Sequence, residues 1–190
     1  MTQTQSITRF SLPDLNELPS DIAERIQQVH DKAGFIPNVF LVLARRPDEF
    51  RAFFAYHDAL MEKQGNLTLA EREMIVVATS SVNQCHYCVI AHGAILRIRA
   101  KDTHIADQVA INFRKAPISA RQQAMLNFAV KVAQSSYAID EQDYVALTEQ
   151  GFDEEDAWDI MAIAAFFGMS NRLANAAHMQ PNPEFYDLGR

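Results

Sequence analysis

Three observations predict an all-α protein. Glycine and proline are scarce, six and seven in 190 residues, while alanine is abundant, which favours helix over a turn-rich β design. Apolar residues recur at three- and four-residue spacing behind recognisable N-cap signals. No segment alternates apolar and polar residues between turn signals as a half-buried strand would.

Residues 1–19 are polar, with Pro13 and Pro19, and are expected to form an extended arm against the body; residues 20–190 suit a single helical domain. Ser20 is expected to cap a helix running to about Lys32, with Ile22, Ile26 and Val29 at helical spacing and Gly34 as its stop. Pro37 opens a short apolar helix through Val39, Phe40, Val42 and Leu43. The next begins at Pro47-Asp48-Glu49, carries Phe50, Phe53, Phe54, His57 and Leu60, and is expected to end at Gly65-Asn66. Thr68-Leu69-Ala70-Glu71 is a capping-box sequence for a helix to about Val82. From Met74 to Val82 that helix has no charge, so it should lie buried at the centre. Asn83-Gln84 is a break, and a further helix should run from near Cys85 to about Arg99. Asp102 or Thr103 starts a short helix ending before Pro117, and Ser119 to Gln122 is a second capping box for a helix to about Gln134. The openings at Thr68 and Ser119 share a short likeness. Asp140 and Asp153 read as N-caps, the last helix runs to about Ala177, and Pro181 and Pro183 are expected to end the ordered pattern. The acidic run Asp153 to Asp156 fits a helix N-terminus.

Composition narrows the function. A net charge of −7 and a pI near 5.3 speak against nucleic acid or an anionic membrane surface as the main partner, since both require a basic footprint. The N-terminal residues lack a basic stretch followed by an apolar one, so no secretory signal is expected. The longest uncharged apolar run, Met161 to Met169, is too short to span a bilayer. Two cysteines without a secretory signal suggest a reducing compartment, the cytoplasm by default, and a catalytic or metal-binding pair.

Those two cysteines, Cys85 and Cys88, stand two residues apart, with His92 four positions after the second. On a helix they fall at i, i+3 and i+7 and share a face. Thiols at this spacing can close a small-ring disulfide. A histidine one turn beyond Cys88 can take its proton and favour the nucleophilic thiolate. Glu73 lies twelve residues before Cys85 on the preceding helix, giving E-x11-C-x2-C-x3-H, a dithiol redox site in outline. Two effects compete over which thiol is activated. His92 is nearer in spacing to Cys88, whereas a helix N-terminus favours the Cys85 thiolate.

The stretch from Leu69 to Gly93 resembles the core of AhpD-like alkylhydroperoxidases, within the carboxymuconolactone decarboxylase superfamily. Ile36 to Phe40, Arg46-Pro47 and Asn171 to Asn175 resemble its peroxidase-related branch, so the likeness covers most of the chain. It implies an all-helical multi-helix domain with the CxxC at the start of a central helix, acting as an oligomeric thiol peroxidase, a trimer or dimer of trimers (a hexamer). By that resemblance Cys88 attacks the terminal peroxide oxygen and becomes a sulfenic acid, and Cys85 condenses with it. His92 withdraws the proton from Cys88, and Glu73 anchors the relay. An external dithiol or lipoyl-type reductant would recycle the disulfide, and no cofactor is implied. Where such relatives carry a second histidine directly before the second cysteine, this chain has Tyr87, with His86 one place earlier, so no role transfers to His86.

Other readings attach to the same residues. Cys85, Cys88 and His92, with Glu73 or His178, could supply zinc ligands, although a companion CxxC is missing. The lactone decarboxylase chemistry found elsewhere in the superfamily does not depend on a CxxC. A thiol-sensing binding module is the non-enzymatic reading. Glu73, taken alone, suits a solvated first turn, but sharing a face with Leu69, Val76, Val77 and Ser80 argues for partial burial. His57 among phenylalanines reads as a packing histidine, and His30 and His104 as surface residues. Phe166-Phe167 reads as core or subunit interface, and Tyr87 as lining the pocket mouth or packing.

Overall fold

The computed structural model of the protein describes residues 6–190; the first five positions of the expected arm lie outside the described residues. Among the described residues the chain forms ten α-helices and no strand. They are α1 (Ser20–Ala33), α2 (Asn38–Leu43), α3 (Pro47–Met61), α4 (Leu69–Val82) and α5 (His86–Ala100), then α6 (Ile105–Asn112), α7 (Ala120–Ser135), α8 (Glu141–Thr148), α9 (Glu154–Ala176) and α10 (Glu184–Asp187). No helix among them is long and apolar enough to cross a membrane.

The helix starts follow from reciprocal capping. Thr68, Ser119, Asp140 and Asp153 each accept a backbone N–H of the first turn, and the residue at the third helical position reaches back to the cap's own N–H. Ser20 differs from expectation: Pro19 occupies the N-cap position and Ser20 is already helical, with no side-chain cap bond. α3 stops at Met61, before Gly65-Asn66. Asp102 ties down the entry to α6 by accepting the N–H groups of His104 and Ile105, at 2.8 and 3.2 Å. Order continues past Pro183, which stands at the N-cap of α10 where its missing N–H costs nothing. The buried Arg97 guanidinium holds that helix by donating to the carbonyls of Phe185 (2.8 Å) and Leu188 (2.9 Å). The described part of the arm docks on the end of α9: Thr8 Oγ1 and Arg9 N–H donate to the Ala177 carbonyl, and Gln180 N–H to that of Ile7.

α4 occupies the centre, with every residue from Glu71 to Ser80 buried against α5, α6, α7 and α9. Met74, Ile75, Val77, Leu96, Met125, Leu126, Ile160 and Phe167 form the heart of this core. A second cluster joins α1, α2 and α3 through Ile22, Ile26, Phe40, Phe50 and Phe54. Inside the main body, the fully buried Arg72 donates to Asp159 (3.1 Å) and to the Leu60 carbonyl (2.8 Å), and Lys63 adds a second cation to Asp159 at 2.9 Å. One buried carboxylate thus locks α4 to α9 and to the end of α3.

Candidate active site

α4 ends in a Schellman turn that delivers the first cysteine. Gln84 adopts φ +53, its N–H donates to the Ser81 carbonyl, and the Cys85 N–H donates to that of Ser80 at 2.9 Å. Cys85 is therefore the closing residue of one helix and the N-cap of the next, extended at φ −89, ψ 98. Its sulfur turns back over the first turn of α5 and accepts the Cys88 N–H at 3.5 Å. The expectation of one continuous helical face is thus modified at Cys85, whose side chain acts as a cap.

Both thiols are free and buried, with Cys85 0% and Cys88 2% exposed. Val42 of α2, Ala174 and Ala177 at the end of α9, Met179 and Phe185 enclose them. The Cys85 thiol is pulled down to about 7 by a hydrogen bond from the Cys88 thiol, with further help from helix N–H groups and Asn171, against burial. The Cys88 thiol is pushed well up, first because it donates to Cys85, then by burial and by the neighbouring negative charge. In the competition left open by spacing, Cys85 is the thiol pulled down, first by the hydrogen bond from Cys88 and then by N–H groups of the helix start.

Glu73 and His92 meet across the α4–α5 contact. His92 Nδ1 lies 2.8 Å from Glu73 Oε2, and the other carboxylate oxygen is 3.2 Å from Arg99 Nη1. Glu73 is only 2% exposed, a deeper burial than its position near the start of α4 suggests, because α5 covers that face. A carboxylate only accepts, so Nδ1 carries the proton and Nε2 is left as the basic nitrogen. Phe167 meets the imidazole edge-on at 4.8 Å between centroids and helps fix its plane. Among the described residues the imidazole's polar partner is Glu73, and neither sulfur is hydrogen-bonded to it.

Arg99 was missed from sequence. It lies seven residues after His92, on the same face of α5, and also pairs with Glu62 at 3.0 Å. Its signal was available: an arginine on the Cys88–His92 stripe, facing a buried glutamate. His57 packs among Phe54, Phe166 and Phe167 with Nδ1 3.0 Å from Asp58. Tyr87 packs as well: its buried hydroxyl accepts the Val39 N–H at 3.1 Å. His86, His30, His104 and His178 are exposed, and Tyr186 Oη stands 3.2 Å from His86 Nε2. Among the described residues no three His, Cys, Asp or Glu side chains converge as a metal site would require.

Comparison with known proteins bears on the family and the fold. The sequence profile of the carboxymuconolactone decarboxylase family matches residues 47–111, the span that holds all four candidate residues. A peroxidase-related protein of Ralstonia eutropha JMP134, with an alkylhydroperoxidase AhpD core, is 64% identical over 97% of each chain, with a TM-score of 0.96. A peroxidase-related protein of Silicibacter sp. TM1040 is 38% identical over the full length of both chains, with a TM-score of 0.94. The debrominase Bmp8, at 22% identity over 97% of this chain and 100% of its own, shares the fold with a TM-score of 0.76. No curated protein sequence matches.

Proposed function

Because the chain belongs to the AhpD-like, peroxidase-related group of the carboxymuconolactone decarboxylase superfamily, we propose that it is a thiol peroxidase running a Cys85–Cys88 dithiol/disulfide cycle. The observation that carries this reading is a buried Glu73 paired at 2.8 Å with a partly buried His92, on the two helices that frame two free thiols. Cys88 attacks the terminal oxygen of the hydroperoxide while its proton leaves toward His92 Nε2. The O–O bond breaks, the imidazolium returns that proton to the departing alkoxide so that an alcohol leaves, and Cys88 becomes a sulfenic acid. Cys85 then attacks that sulfur as the thiolate; the S–S bond forms and hydroxide leaves, taking a proton from solvent. Glu73 holds the imidazole tautomer that this sequence needs. An external dithiol, of lipoyl type or similar, restores the pair, and the protein works in a reducing compartment such as the cytoplasm.

A second order is favoured by the lowered Cys85 thiol, pulled down by the hydrogen bond from Cys88, which would ionise more readily than its neighbour and attack first. Single-turnover peroxide consumption with a sulfenic-acid trap separates the two. In the proposed order Cys88→Ser is inert and Cys85→Ser turns over once, leaving a trapped label on Cys88; the mirror result reverses the roles. The cycle itself is tested by adding one equivalent of hydroperoxide to the reduced protein. Both thiols should disappear, and one peptide should lose two hydrogens. Unchanged thiols or mainly intermolecular dimers would overturn it.

A further inference from the structure

The outward face of α9 carries almost no charge. From Trp158 to Leu173 the residues open to solvent are Trp158, Met161, Ala165, Met169, Arg172 and Leu173, and Arg172 alone among them is an ion. Trp158 is 62% exposed, Leu173 48% and Met169 44%. A solvated helix face is ordinarily polar, so a stripe of this kind belongs against another surface. Trp158 and Met169 stand eleven residues apart, as do Met161 and Arg172, close to three full turns, so the stripe runs straight along the helix. Its charges sit at opposite ends. Asp153, Glu154 and Glu155 stand at the N-terminal end, where a cavity of about 430 Å³ opens between α8 and α9, lined by Tyr144, Trp158 and Met161 together with Asp153 and Glu154. Arg172 stands at the other end. Among the described residues its guanidinium donates to the Gly168 carbonyl of its own helix and meets no carboxylate.

We propose that this stripe is a self-complementary interface: a second copy of the chain lays its α9 antiparallel against the first, with the two-fold axis at Ala165. That register sets Trp158 against the partner's Arg172, Met161 against the partner's Met169, and Ala165 against itself. The small residue lies where the helices cross and lets them approach closely, with the large ones on either side. Each Arg172 enters the other copy's cavity, where the rings of Tyr144 and Trp158 and the carboxylates of Asp153 and Glu154 suit a guanidinium. A parallel pairing would instead set Arg172 on Arg172 and acid on acid, and would align the two helix dipoles. Because the two ends of one stripe complement each other, its occupant is the same chain. The inference stands apart from the redox chemistry of the dithiol.

Cross-linking tests the register and light scattering the contact, both on the full-length protein. Two copies of residue 165 meet on the axis within disulfide reach, whereas two copies of residue 161 lie about 12 Å apart along the helices. Ala165→Cys, incubated with glutathione disulfide, should therefore give a covalent dimer whose joined peptides both contain position 165. Met161→Cys and Met169→Cys should each stay single alone and couple to one another when mixed. The parent, whose own cysteines are buried, should stay single and serves as the control. Ala165→Glu places two carboxylates on the axis and should halve the mass of the parent particle. Arg172→Glu, which turns a like charge on Asp153 and Glu154, should weaken association about tenfold or more. None of the substituted side chains is buried, so helical circular dichroism should be unchanged throughout. Ala165→Cys chains that stay uncoupled, Met161→Cys chains that couple with themselves as readily, or an Ala165→Glu particle of parental mass would overturn the proposal.

Discussion

A buried carboxylate and a partly covered imidazole 2.8 Å apart form a fixed proton-handling pair for the moment a thiol must lose its proton. Glu73→Gln and His92→Ala should therefore each slow oxidation of the dithiol by about 10²–10⁴-fold, read by stopped-flow thiol loss, with helical circular dichroism unchanged. Parental rates in both variants would remove the relay from the mechanism. The lowered Cys85 thiol also has a thermodynamic signature. Its folded value near 7 lies below the ordinary 9.0, so between those limits the unfolded chain binds more protons. Stability of the reduced protein should rise from pH 7 toward pH 9, and fall away as pH drops through 7. Above the ordinary thiol value the raised Cys88 works the opposite way, so the gain should not continue. Thermal melts of the reduced parent against Cys85→Ser check this: the variant should lose the rise.

At the scale of elements, three helices end in left-handed residues that are not glycine: Gln84 after α4, Lys101 after α5 and His178 after α9. Each closes a Schellman turn in which the following N–H returns to a carbonyl five residues back: Cys85 to Ser80, Asp102 to Arg97, Met179 to Ala174. The turn at Gln84 matters most, because it orients the N-cap cysteine. A β-branched side chain is poorly accommodated at φ +53, so Gln84→Val should cost about 1–2 kcal/mol in urea denaturation, whereas Gln84→Gly should not destabilise by more than a few tenths. Equal effects of the two substitutions would argue against a conformational origin. The helix starts were legible because Thr68, Ser119, Asp140 and Asp153 are conventional caps. The stops were also placed to within a residue, at about Val82, Arg99 and Ala177, but their left-handed conformation was not legible, since a left-handed glutamine, lysine or histidine carries no local mark.

For the molecule as a whole, Arg72, fully buried, and Asp159, 8% exposed, join α4 to α9. Removing one partner leaves a buried charge, so Asp159→Ala should cost about 3–5 kcal/mol, measured by denaturant midpoint. A loss below about 1 kcal/mol would mean that the Leu60 carbonyl suffices for Arg72. Large apolar side chains remain open to solvent, among them Tyr137 at 90%, Ile111 at 85% and Trp158 at 62%. With the oligomer that the family resemblance implies, these faces are suited to neighbouring copies. Light scattering at micromolar concentration should give a mass several times the 21.4 kDa of one chain; a monomeric mass would contradict the oligomer.

Sequence by itself determined the helical class and most helix starts and singled out four candidate residues, because capping chemistry, 3.6-residue periodicity and the E-x11-C-x2-C-x3-H spacing are local properties of the chain. It also set the central place of α4, whose uncharged stretch has nowhere to go but inside. Tertiary structure decided what spacing could not. The opposite shifts of the two thiols come from the hydrogen bond between them, from N–H groups at one helix end and from burial by α2, α9 and the C-terminal segment. Arg99 reaches the site by packing, across the contact with Glu73. That pairing arises from a distance between elements, and a one-dimensional pattern does not contain it.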